Sequence, residues 1–219
     1  MDSWLSWSIT SACIILFSVL TLPPKPHQEV KKQRSHVGPY LKTSLLLLCA
    51  TLIVGWGLLP YLPIQIDDSF IVFAYAWNFL KTGAICWNTG ELVEGYASPL
   101  HLLLMIVGAQ VHLDLSVFSR VLSVVCSLTL LGYLLRPAFG ARRFALVLLL
   151  ACWQPFQFWS SMGLETMLGV LLGTLGWTCS SWSIGIPVLG LFALTRPEGH
   201  AWLGIALLLR GIHPPNRKD

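Results

Sequence analysis

The chain has 219 residues, of which 55% are hydrophobic and only 11% charged, with a mean hydropathy of +0.68. A soluble domain carries roughly 25% charged residues, so the composition excludes an ordinary globule and predicts an all-α, polytopic membrane helix bundle. The formal net charge of +4 discriminates little by itself, and the placement of the charges carries more information than their sum.

Residues 4–22 form a first apolar run. It lacks a basic leader region, so it reads as a retained helix rather than a signal peptide. The segment 23–42 follows with Lys25, Lys31, Lys32, Arg34 and Lys42 against Glu29 alone. Beside two apolar runs this marks a cytoplasmic linker rather than a nucleic-acid contact. Ser44–Pro63 is a second run of 20 residues without charge, roughly 30 Å long as a helix and matched to the hydrocarbon thickness. It delivers Asp67 and Asp68 to the far surface.

Ser69–Lys81 has the pattern of a short amphipathic helix, with Asp68 as N-cap, Lys81 in the last turn and Gly83 as the stop. Phe70, Ile71, Phe73, Trp77 and Phe79 are expected in the membrane interface. A polar loop follows to Ser98, and Ser98-Pro99 is a helix start. The helix expected over Pro99–Leu113 measures roughly 22 Å and carries His101 and Gln110. If it crossed, Arg136, Arg142 and Arg143 would lie outside; if it lies in the interface, Leu115–Leu135 runs inward and all three are cytoplasmic. The positive-inside rule selects the second arrangement. Phe144–Trp159 then runs outward, and Thr166–Trp182 with Ser183–Leu194 either cross twice or form a shallow hairpin. Ala201–Leu209 returns inward. Only Lys81, Arg120 and Arg196 of the basic residues escape the cytoplasmic side, whereas most acids fall outside.

Cys13, Cys49, Cys126, Cys152 and Cys179 sit in apolar runs as small hydrophobes, and only Cys86 lies in the polar stretch. No spacing among them suggests zinc, and no metal-ligand set is expected beyond a possible divalent cation at Asp67/Asp68. Three separated segments bring Asp67/Asp68, Glu91/Glu94 and Glu165 to one surface, with Glu198 beside Arg196. Such a set suits general-base work, cation binding or recognition of sugar hydroxyls. Arg120 and Arg196 at apolar-run ends either meet an anionic phosphate or snorkel to headgroups. His101 either contacts a phosphate or sits in the interface. No Ser-His-Asp pattern, phosphate loop or dinucleotide fingerprint is present.

Four strings occur in order: Asp67-Asp68-Ser69-Phe70-Ile71; Asn88 to Leu100 with its core Glu94-Gly95-Tyr96-Ala97-Ser98-Pro99-Leu100; Gly163-Leu164-Glu165-Thr166; and Leu194-Thr195-Arg196-Pro197-Glu198-Gly199. Over about residues 44–210 they resemble the N-terminal half of bacterial integral-membrane glycosyltransferases of the GT-C superfamily, nearest to the arabinofuranosyltransferase-like group. The resemblance implies two interfacial helices in the first outer loop, and a division into a membrane helix with basic linker (1–43) and a transferase-type transmembrane domain (44–219). It also implies a polyprenyl-phosphate sugar donor, a glycan or lipid acceptor, and a bacterial inner membrane with the active face periplasmic or extracellular. Asp67 or Asp68 would be the catalytic base. Glu94, Tyr96, Glu165 and Glu198 would shape the sugar pocket, and Arg196, with Arg120 or His101, would meet the phosphate. The chain departs from that family's pattern at Ala74 and Trp77, where Arg is usual, at Ala97, where Thr is usual, and at His101, where an aromatic is usual.

Overall fold

A computed structural model describes residues 37–88, 90–91, 93–136, 143–179 and 181–212. Among these the chain is helical without a strand, apart from one isolated bridge between Asn88 and Glu91. The expected span 4–22, most of the basic linker, Arg142, Arg217 and Lys218 lie outside the described residues. The chain divides into two compact units, Met1–Pro60 with Leu128–Phe158, and Tyr61–Ser127 with Trp159–Asp219.

In the first unit, helix α1 (Val37–Leu58) runs on into a 3-10 turn at Leu59–Tyr61. Its Thr43–Tyr61 stretch is long and apolar enough to cross a membrane. Leu45, Leu48, Leu52, Trp56 and Leu59 recur at three- and four-residue spacing and are exposed, the stripe a spanning helix presents to lipid. Helices α2 (Asp67–Thr82) and α3 (Pro99–Gln110) belong to the second unit, and α4 (Leu115–Leu134) is a second helix long enough to cross. The expected outward span at 144–159 is instead two helices, α5 (Arg143–Cys152) and α6 (Gln154–Ser161), bent by 66°; counted as one broken span, the pair brings the helices long and apolar enough to cross a membrane, among the described residues, from two to three. Pro155 explains the bend. It has no N–H to donate to the carbonyl of Ala151, and the Gln157 side chain donates to that carbonyl instead at 2.8 Å.

The second unit owes its shape to short helices. Helix α2 buries Ser69, Val72, Phe73, Tyr75 and Ala76 against Leu102, Met105, Ile106 and Ala109 of α3. Its C-terminus is as expected: Gly83 adopts the left-handed conformation (φ 74°) and its N–H closes on Phe79 O. Its N-terminus is not. The capping position is Ile66, no side chain caps the helix, and Asp67 and Asp68 both lie inside the first turn. Asp68 therefore is not the N-cap; both carboxylates face the positive end of the helix dipole. Pro99 opens α3 as expected, although Ser98 makes no side-chain cap. Helix α3 ends at Gln110 rather than Leu113, because His112 takes a left-handed conformation (φ 58°) and the N–H groups of His112 and Leu113 bond back to Ala109 O and Gly108 O. That is a Schellman stop made without glycine. Of the residues expected in the interface, Phe70 and Trp77 are exposed, Phe73 is buried, and Ile71 and Phe79 pack on the core.

Helices α7 (Thr166–Thr178) and α8 (Trp182–Ala193) form an antiparallel hairpin. A side chain at Gly176 would meet Leu189, one at Gly173 would meet Phe192, and one at Gly169 would meet Phe192 and Arg196. This glycine face lets the two backbones approach closely, as small residues do between membrane helices. At 13 and 12 residues each helix is roughly 20 Å long, short of a hydrocarbon core of roughly 30 Å. Helix α9 (Glu198–Ile212) packs its first turn on the end of α8. A Cβ at Gly199 would lie 2.7 Å from the backbone atoms of Phe192 and Ala193, which cannot give way as a flexible side chain would. Gly199→Ala is expected to destabilise the protein by about 1–3 kcal/mol, read as a lowered unfolding temperature in detergent, whereas Gly204→Ala, in open space inside α9, does not lower it and stabilises by up to about 1 kcal/mol.

Candidate functional site

The hairpin positions the site. Because α7 and α8 run antiparallel, Glu165 just before α7 and Arg196 just after α8 lie at the same end. Arg196 is buried, its side chain 9% exposed. Its Nε donates to Glu198 Oε1 at 2.6 Å, and its Nη1 donates to Glu165 Oε1 at 3.3 Å and to Thr166 Oγ1 at 3.4 Å. Gly169 leaves the room in which the Arg196 stem lies against α7. The Glu165 and Glu198 side chains are 20% and 13% exposed, so both pairs are largely withdrawn from water.

Burial pushes the Glu165 carboxyl above the usual carboxylate range; Arg196 pulls it back, while Glu198 and Asp68 push it up further. The Asp68 charge thus reaches Glu165 through space. Asp67 and Asp68 themselves are exposed. With two carboxyls on one guanidinium, the cluster favours hydroxyls or positive charge over a further anion.

The other expected site residues are placed differently. Glu94 is exposed, on a loop gripped by Tyr75. The buried Tyr75 hydroxyl donates to Val93 O at 2.7 Å and accepts from Gly95 N–H at 2.9 Å, and its ring packs edge-on against Tyr96 at 5.3 Å. A Cβ at Gly95 would come within 2.8 Å of that hydroxyl. Glu91 accepts a bond from Asn88 Nδ2 at 2.8 Å. Arg120 donates to the carbonyls of Leu62 and Ile64 and to Gln65. His101 is fully buried and neither ring nitrogen has a partner, so it occupies the protein interior rather than the membrane interface. Among the described residues no three His, Cys, Asp or Glu side chains come together as a metal site. Tyr75, Gln65 and Thr166 escape a reading of the sequence, since each sits in an apolar or helical pattern as an ordinary packing residue. The one local hint is that hydroxyls, those of Ser69 and Tyr75, stand on the buried face of α2.

Comparison with family models, with curated proteins and with solved structures gives no match to this chain. The site itself therefore carries the functional reading.

Two measurements test this geometry. Arg196→Met leaves two largely buried carboxyls without their cation and is expected to cost about 3 kcal/mol, whereas Arg196→Met with Glu165→Gln and Glu198→Gln costs less. Thermal unfolding of the two variants checks the order. Burial also holds His101 down to about 4, from 6.5. The unfolded chain therefore takes up this proton first as pH falls, and the stability from neutral His101 is complete above about 6.5 and lost progressively down to about 4, by about 3 kcal/mol. His101→Phe is expected to flatten that part of the pH–stability curve.

Proposed function

We propose that the protein is a membrane glycosyltransferase that moves a sugar from a polyprenyl-phosphate donor to an acceptor hydroxyl at the membrane surface, with inversion. The observation that supports this most is the gathering of Glu165, Arg196 and Glu198 at the ends of helices too short to span a bilayer, within electrostatic reach of Asp68. In this reading Asp67 or Asp68, exposed at the start of α2, takes the proton from the acceptor hydroxyl. The acceptor oxygen attacks the anomeric carbon as the bond to the phosphate oxygen breaks, and lipid phosphate leaves. Glu165 and Glu198 bind sugar hydroxyls as acceptors through their carboxylate oxygens. Helices α2 and α3 lie in the interface. Phe70, Trp77 and Leu80 on one, and Leu103 and Val107 on the other, offer exposed apolar faces to the bilayer. The active face is the periplasmic or extracellular side of a bacterial inner membrane, a placement that rests on the distribution of basic residues.

One observation favours a second reading, a non-catalytic membrane protein that binds lipid-linked sugar. A leaving phosphate needs positive charge, yet Arg196 is engaged by two carboxylates and Arg120 by backbone carbonyls. Purified protein in lipid nanodiscs, given labelled polyprenyl-phosphate sugars and a hydroxyl acceptor, separates the two. Transfer that falls at least about 100-fold in Asp67→Asn/Asp68→Asn, with folding unchanged, supports the transferase. Transfer retained by that variant removes the assignment, and donor binding without transfer in the unsubstituted protein establishes the second reading.

A further inference from the structure

Arg120 has the placement of a phosphate ligand in the sequence, but its donors point elsewhere. It stands on the second turn of α4. One guanidinium nitrogen, Nη1, donates to Leu62 O; the other, Nη2, donates to Ile64 O at 2.8 Å and to Gln65 Oε1 at 3.2 Å. The Nε–H is buried without a partner, so it faces the interior and not a ligand at the surface. Gln65 continues the chain of bonds. Its Oε1 also accepts from Ser116 Oγ, and its Nε2 donates to Ser69 Oγ at 3.1 Å. Ser69 is fully buried, and its hydroxyl and its N–H both donate to Ile66 O, at 2.6 and 3.1 Å. A continuous hydrogen-bonded path thus runs from α4, through the linker 62–65, into the first turn of α2, where Asp67 and Asp68 stand beside Ser69.

We infer that Arg120, through Gln65, is a positioning residue for the Asp67–Asp68 turn and does not hold the donor phosphate. Segment 62–65 lies between helices, so the carbonyls of Leu62 and Ile64 have no helical partners of their own. A planar guanidinium can meet two such carbonyls and a side-chain amide together, which a single ammonium matches poorly. The path ties the position of both carboxylates to α4 instead of leaving it to a Leu-Pro-Ile-Gln connector. The consequence for catalysis rests on the transferase reading; the consequence for the turn does not.

Gln65→Leu is the deciding variant, because it cuts the path to Ser69 and leaves the Arg120 charge in place. Full-length protein in nanodiscs is compared by amide hydrogen exchange and by transfer from labelled polyprenyl-phosphate sugar. In Gln65→Leu and Arg120→Met the amides of residues 69–72 are expected to exchange about tenfold faster, with α7 to α9 unchanged. Transfer loses kcat while KM for the donor stays constant. Arg120→Lys is expected to fall between. Unaltered exchange at 69–72 in Gln65→Leu overturns the inference, as does an Arg120→Met variant that raises donor KM with exchange unaltered. Should Arg120→Met loosen the whole protein, Gln65→Leu still decides. If the unsubstituted protein transfers no sugar, the transferase reading fails, and the exchange result alone decides whether the path holds the turn.

Discussion

A guanidinium largely removed from water has to be matched, and the match here organises the second unit. Arg196 cannot lose its proton, so its charge in a low-dielectric setting demands carboxylates from whichever segments can reach it. Glu198 is two residues away in sequence and Glu165 thirty-one, at 2.6 and 3.3 Å. The distant pair exists only because α7 and α8 return the chain to its starting level. The glycine face of α7 permits that return, and Gly169 leaves the space for the Arg196 stem.

The acids of the site share a structural address. Asp68 lies in the first turn of α2, Glu165 stands immediately before α7 and Glu198 opens α9. Each sits where a helix presents its unpaired N–H groups and positive partial charge, which offsets part of the cost of gathering carboxyls together. The backbone N–H of Leu100, in the first turn of α3, donates to Leu194 O at 2.9 Å, so a further helix start is tied to the same end. Short helices are a condition for this arrangement. A helix that crossed a bilayer in full would carry its far end roughly 30 Å away.

Much of this was legible in sequence. The apolar run Ser44–Pro63, the helix from Leu115, the glycine stop at Gly83 and the proline start at Pro99 all follow from local chemistry, because each depends on residues within one or two turns. The break at Pro155 also had a local cause, but an apolar run masked it, and the side-chain substitute from Gln157 was not readable at all. The end of α3 was misjudged because histidine seldom takes the left-handed conformation that stops a helix. Asp68 was read as a cap because aspartate before a helix usually is one; Ile66 holds the position instead. Within the site, the sequence showed that acids and Arg196 could gather, since hydrophobic patterning brought their loops to one surface. It did not show that Arg120 serves backbone carbonyls, that His101 is sealed inside, or that Tyr75 grips the Glu94 loop. Those are matters of which side chain meets which atom across 18 to 58 residues of chain, and no local pattern encodes them.

The claim on which the rest depends is that Asp68 and Glu165 share one electrostatic site with Arg196. A carbon-13 titration of the Glu165 carboxyl in the full-length protein, with and without Asp68→Asn, tests it directly. The account predicts a midpoint above the ordinary glutamate value of 4.5 that moves down when the Asp68 charge is removed. An ordinary midpoint, indifferent to Asp68→Asn, would contradict it.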